Sequence, residues 1–139
     1  VEPVSSIVGR GAAVHVLIVD DNPEILEILT ELLEEYGYRV TCCAGGLSAL
    51  LTIGQTPPDL VLLDLKLADI SGFDVCRALR AEPAFADLPI IFVSGVFLDE
   101  EMIRARLGDE KARLLLKPIP GEVLVSEIER VIAERRKAA

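Results

Sequence analysis

The chain has no tryptophan, and only 4% of its residues are aromatic. Its interior must therefore be built from Leu, Val, Ile and Ala, which are plentiful: 51% of the 139 residues are hydrophobic. That supply suffices for one domain with a sizeable core and argues against disorder away from the ends. Positive charge is also scarce: 14 Lys and Arg stand against 23 Asp and Glu, a formal net charge of −9. A nucleic-acid-binding segment needs a basic face, so the balance argues against such binding by this segment, although a longer polypeptide has room for such a module elsewhere. No apolar stretch reaches the length of a membrane span, and no signal peptide is visible. The three cysteines, Cys42, Cys43 and Cys76, contain no Cys-x-x-Cys spacing, and their odd number excludes a complete disulfide framework. They read as free thiols in a reducing cytoplasm, with the adjacent pair pointing to opposite faces of a strand.

What is present is an alternation of strand and helix. Residues 1–13, punctuated by Pro3, Ser5, Ser6, Gly9 and Gly11, read as a linker. The start at Val1 rather than Met reads as a segment processed or cut from a longer polypeptide. The folded domain is expected over 14–135, with a tail at 136–139. Apolar runs predict strands at 14–20, 38–43, 59–64, 89–94 and 113–117. Between them lie helices: one capped by Asn22 with Pro23 at its first position, one over about 47–54, one over 73–81, one over roughly 98–107 and one opened by Pro120. The first helix carries the stripe Ile25, Leu26, Ile28, Leu29, Leu32 and Leu33; the last carries Val123, Leu124, Ile128, Val131 and Ile132. Five βα units with short connections predict an α/β fold, a doubly wound parallel sheet of five strands and five helices. The flavodoxin-like order 2-1-3-4-5 sets strands one and three side by side.

Two of those strands end in acids. Val14-His15-Val16-Leu17-Ile18-Val19 runs into Asp20 and Asp21, and Leu60-Val61-Leu62-Leu63 runs into Asp64. In open α/β sheets the carboxyl edge is where ligands bind. Three carboxylates gathered there repel one another and rise in pKa unless a cation joins them. The arrangement predicts a hard divalent metal, Mg²⁺, which prefers oxygen ligands and keeps several waters.

Further along, Ser94 ends the fourth apolar run, and Lys117-Pro118 ends the fifth. Asp20-Asp21, Asp64, Ser94 and Lys117-Pro118, in this order and at these strand ends, resemble the receiver (response-regulator) domain of two-component phosphorelay signalling. Asp64-Leu65-Lys66-Leu67-Ala68-Asp69-Ile70-Ser71-Gly72 is similar to the loop after that family's phospho-acceptor. The resemblance covers about residues 14–135 and rests on dispersed matches, which are more specific than one short motif. It implies that Asp64 is the nucleophile and becomes an aspartyl phosphate. It implies Mg²⁺, with Mn²⁺ as a substitute, held by Asp21, Asp64 and the backbone carbonyl of Lys66, and by Asp20 mainly through water. Lys117 would pair with a phosphoryl oxygen, Pro118 would hold a cis peptide that aims it, and Ser94 would swing its hydroxyl onto the phosphoryl group. The implied partner is a histidine kinase or a histidine phosphotransfer protein, with helix four, strand five and helix five as the surface for a homodimer. The segment itself is expected to touch neither nucleic acid nor membrane. Such a domain assists its own phosphorylation and dephosphorylation rather than turning over a substrate, alone or within a hybrid histidine kinase.

Three departures from the family pattern stand out. Leu114 occupies the place, three before the lysine, where many relatives carry an aromatic switch. Lys66, two after the acceptor, lies near the path of attacking water and is expected to pair with Asp99 or Glu100 and slow hydrolysis. Ala68 replaces a common proline, which predicts a more mobile loop.

Each residue also has an ordinary reading. A lone strand-end Asp is usually a turn residue or helix cap, and Asp69 and Asp74 are read as such. His15 is read as a satisfied strand residue, not as a base or phosphodonor. Glu31, Glu34 and Glu35 are a solvated face. Taken together, however, the ordinary account of the site residues needs several independent coincidences. Of the competing functions, a haloacid-dehalogenase-type phosphatase needs an acid where Lys66 stands. A flavodoxin-type cofactor binder needs a phosphate-cradling loop where Asp20-Asp21-Asn22-Pro23 stands. A degenerate receiver used for dimerisation or protein interaction is the remaining alternative, kept open by Leu114.

Overall fold

A computed structural model of the chain describes residues 13–95 and 99–138. The linker expected at 1–13 lies outside the described residues except for position 13, as does residue 98, where the fourth helix was expected to start. In chain order the elements are β1 (His15–Val19), α1 (Pro23–Glu35), β2 (Arg39–Cys43), α2 (Gly46–Gln55), β3 (Leu60–Asp64), α3 (Gly72–Ala81), a 3-10 turn (Pro83–Phe85), β4 (Ile90–Ser94), α4 (Glu100–Leu107), β5 (Arg113–Leu116) and α5 (Gly121–Ala138). The five strands form one parallel sheet in the order β2-β1-β3-β4-β5.

Burial explains which strands are central. Every residue of β1, β3 and β4 is buried, as their continuous apolar runs require when helices cover both faces. The edge strands β2 and β5 are half-exposed. Alternation along each strand divides the core in two. Leu17, Val19, Val61, Leu63, Ile90 and Phe92 pack with residues of α2, α3 and α4. Val16, Ile18, Leu60, Leu62 and Ile91 pack with α1 and α5.

Local chemistry sets the helix ends. The Asn22 carboxamide accepts the Glu24 N–H at 3.0 Å and Pro23 follows, starting α1. Gly108 ends α4 in the left-handed region at φ 65°, where a side chain would be strained. Ser71 and Asp74 form a reciprocal capping box on α3.

The stripes need correction at two positions. Ile28 on α1 is 60% exposed and Val123 on α5 is 47% exposed, whereas Val125 is buried. Helical spacing locates a face but not its edges. α5 also continues to Ala138, through residues 136–138 that the sequence pattern left as a tail. His15 is buried, with Nε2 2.7 Å from Thr41 Oγ1, but its Nδ1 is buried without a hydrogen-bond partner.

Candidate functional site

Register brings the acids together. Val19 pairs with Leu63 across β1 and β3, so the next residues, Asp20 and Asp64, leave the sheet side by side. Ile18, Leu62 and Leu115 face the α1–α5 layer, and two positions further the same alternation delivers Asp20, Asp64 and Lys117. Lys117 Nζ donates to Asp20 Oδ2 and to Asp64 Oδ2, each at 2.8 Å. The other oxygens are also engaged: Asn22 N–H donates to Asp20 Oδ1 at 2.9 Å, and Lys66 N–H donates to Asp64 Oδ1 at 3.0 Å. Asp20 and Asp64 are buried, whereas Asp21 is exposed.

One carboxylate oxygen from each of Asp20, Asp21 and Asp64 lies within 4.8 Å of the other two. Three carboxylates against one ammonium leave two negative charges uncompensated, the charge of one divalent cation. The donors are all hard oxygens, and one of the acids opens to solvent. This donor set fits Mg²⁺.

Burial pushes the Asp64 carboxyl above its ordinary value, against the hydrogen bonds from Lys117 and Lys66 and with the help of the Asp20 charge. Burial alone would lower the Lys117 ammonium, but hydrogen bonds and charge from Asp20 and Asp64 outweigh it, and the net direction is up. Lys117 is therefore firmly cationic. Ser94, at the end of β4, is buried at the same edge, and its carbonyl accepts the Lys117 N–H at 2.8 Å. The Lys117–Pro118 peptide is cis.

The structure thus brings Asp20, Asp21, Asp64, Ser94 and Lys117 to one edge. It does not pair Lys66 as expected. The Asp99 carboxylate caps α4 by accepting the Glu101 N–H at 2.9 Å. Glu100 binds Arg104 one turn along and accepts the Leu114 N–H at 2.9 Å. Both acids are satisfied by nearer donors, and among the described residues Lys66 has no ion pair.

Three contacts were not expected from the sequence. Glu100 and Arg104 together cover the outer edge of β5, since Arg104 Nε donates to the Ala112 carbonyl at 3.0 Å. Asp69 does cap a helix, but a distant one: its carboxylate accepts the Gly46 and Leu47 N–H groups of α2. The signal was a glycine pair at a helix start with no capping side chain of its own.

Residues 16–129 match the response regulator receiver domain model. Among curated relatives, the DNA-binding response regulator MtrA of Mycolicibacterium smegmatis is 34% identical over 116 residues, covering 82% of this chain and 48% of the relative. The DNA-binding dual master transcriptional regulator RpaA of Synechocystis is 30% identical, with 82% and 47% covered. The chain spans about half the length of these curated relatives. Among solved structures, a CheY-like response regulator receiver domain protein from Methanospirillum hungatei aligns with TM-score 0.82 and 26% identity, covering 92% of this chain and all of that one. The Vibrio cholerae chemotaxis protein CheY4 aligns with TM-score 0.79 and 26% identity, covering 86% and 99%. No helix among the described residues is long and apolar enough to cross a membrane.

Proposed function

This chain belongs to the response regulator receiver domain family of two-component signalling, and on that premise we propose that it is a phosphoacceptor switch in which Asp64 takes a phosphoryl group from a phosphohistidine donor. The observation that carries the reading is the joint grip of Lys117 on Asp20 and Asp64 beside exposed Asp21. Asp21 and Asp64 would hold Mg²⁺ with the Lys66 carbonyl, and Asp20 through water; Mn²⁺ would substitute. The metal, when bound, would shield phosphoryl oxygens from the attacking carboxylate. The residues supply the rest, because phosphoryl transfer depends mainly on positioning and charge stabilisation. Asp64 Oδ1 is fixed by the Lys66 N–H, and Oδ2 by Lys117. On phosphorylation Lys117 would move its ammonium from carboxylate to phosphoryl oxygen, and Ser94 would bring its hydroxyl to another.

The donor would be a histidine kinase or a histidine phosphotransfer protein in the cytoplasm. His15, buried in β1, is unsuited to donate. The output surface would be α4, β5 and α5, each of which shows one large exposed apolar side chain, Met102, Leu116 and Val123, as a homodimer contact needs. Leu114 removes aromatic switching from this route, which leaves the packing of buried Ile103 and the Glu100–Arg104 cover of β5 to link α4 to the sheet.

Beryllofluoride with Mg²⁺, a mimic of the aspartyl phosphate, tests the proposal. The expected result is binding with amide shifts around Ser94 and Lys117, both lost in Asp64→Asn. No Mg²⁺-dependent response would point to a degenerate receiver instead.

A further inference from the structure

The segment from Leu65 to Ser71 carries the Lys66 peptide, whose N–H holds Asp64 Oδ1. Ala68 gives this loop no proline ring to stiffen it. Its near end is tied to the sheet: Leu65 N–H donates to Val93 O at 3.1 Å, and Gly72 N–H to Leu65 O at 2.9 Å. The backbone is so close there that a Cβ on Gly72 would lie 2.4 Å from the Asp64 carbonyl oxygen.

The far side of the loop is tied to a different element. Asp69 Oδ1 accepts the Gly46 N–H and Oδ2 accepts the Leu47 N–H, both at 2.9 Å. These are the first amides of α2, whose own N-cap, Gly45, offers no side chain. Gly45 is extended at φ −151°, so no turn demands glycine there. Close approach does: a Cβ on Gly45 would lie 2.9 Å from Asp69 Oδ2, and one on Gly46 would lie 2.6 Å from Ile70 Cγ1. The glycine pair leaves the space into which 69 and 70 dock. Although exposed, the Asp69 carboxyl is held down to about 2, by the Leu47 N–H first and the Gly46 N–H second, so the tie persists at any working pH.

We infer that Asp69 is a positioning residue for the phosphoacceptor site: by clamping the loop after Asp64 onto α2, it fixes the Lys66 peptide that orients the Asp64 carboxylate. The inference rests on the reading of Asp64 as phosphoacceptor and of the Lys66 carbonyl as a metal donor. The Asp69 carboxylate, docked on the first amides of α2, thereby supplies the restraint that a proline at position 68 would otherwise give.

The test compares Asp69→Ala, Asp69→Asn and Asp74→Ala with the parent chain. Asp74→Ala removes a helix cap nearby in sequence and serves as the purely structural comparison. Three quantities are read: Mg²⁺ affinity by calorimetry, hydrogen exchange of the Lys66 amide, and thermal midpoint. Asp69→Ala is expected to weaken Mg²⁺ by about tenfold, as loss of an outer support of a metal donor does, and to speed exchange at Lys66. Asp69→Asn keeps one acceptor oxygen and should fall between. Asp74→Ala should lower the midpoint and leave Mg²⁺ affinity and Lys66 exchange unchanged. If Asp69→Ala only lowers the midpoint and frays Gly46 and Leu47, with Mg²⁺ affinity and Lys66 exchange as in the parent, the residue is a helix cap and the inference is overturned. A parent chain that takes no Mg²⁺ would overturn the phosphoacceptor reading itself, and this inference with it.

Discussion

At Lys117 one ammonium holds two carboxylates, with its side chain 25% exposed and those of Asp20 and Asp64 at 4% and 9%. Removing it leaves both acids poorly solvated and facing each other. Lys117→Ala should therefore lower stability by about 1–3 kcal/mol, the range for a buried polar group that loses its partner. Mg²⁺ held by the three carboxylates would stabilise only the folded state, so it should raise the thermal midpoint more in this variant than in the parent. Paired melts with and without Mg²⁺ measure both effects; equal Mg²⁺ responses would show that the metal and the lysine do not share the same charge deficit. His15 makes a different prediction. Burial lowers its pKa below the ordinary 6.5, with the Arg39 charge adding to the effect. The unfolded chain then binds more protons than the folded one, and stability rises with pH. The contribution is fully present above 6.5 and is lost as pH falls through that value towards the lower folded one. His15→Gln should flatten this part of the stability profile, as urea melts across about pH 5 to 8 would show; an unchanged slope would mean that the imidazole titrates normally in the fold.

Among elements, β5 is the strand whose outer edge needs explaining. Ala112 O and Leu114 N–H face away from β4, and Arg104 and Glu100, one turn apart on α4, satisfy them. A helix here supplies the groups that a further strand would, which blunts an edge otherwise open to pairing. Glu100→Ala leaves the Leu114 N–H to water and should cost about 0.5–1.5 kcal/mol, while Glu100→Gln, which retains an acceptor, should cost less. Urea midpoints separate the two; equal losses would show that charge on Arg104, and not the strand edge, is what Glu100 serves. The role of Glu100 and Arg104 on the strand edge was not legible in sequence, where Glu100 reads as a partner of Lys66 and α4 as short and charged. The strands were legible for the opposite reason. β1, β3 and β4 are covered on both faces and so read as unbroken apolar runs ending in Asp20, Asp64 and Ser94. Helix faces were legible less sharply: the spacing that found the α1 stripe did not distinguish buried Leu33 from exposed Ile28.

On the scale of the whole molecule, the sheet order turns scattered residues into a site. Asp20 and Lys117 are 97 positions apart and follow β1 and β5, between which β3 and β4 lie, yet their side chains meet at 2.8 Å because alternation carries both to one face, where the long lysine side chain reaches across to the acids. The acids could be named from their strand-end positions, and the lysine from the family resemblance that those positions carry. Asp69 could not, since its bond to Gly46 spans 23 residues and depends on how a loop drapes over a helix, which no local pattern encodes. Under the phosphoacceptor proposal, one reaction takes place at one oxygen of this edge. The most direct test is to incubate the chain with Mg²⁺ and acetyl phosphate and then locate the added phosphoryl group by peptide mass mapping. A single Mg²⁺-dependent phosphoryl group on Asp64, absent from Asp64→Asn, is the predicted result. Uptake at another residue, or none while Mg²⁺ is bound, would contradict it.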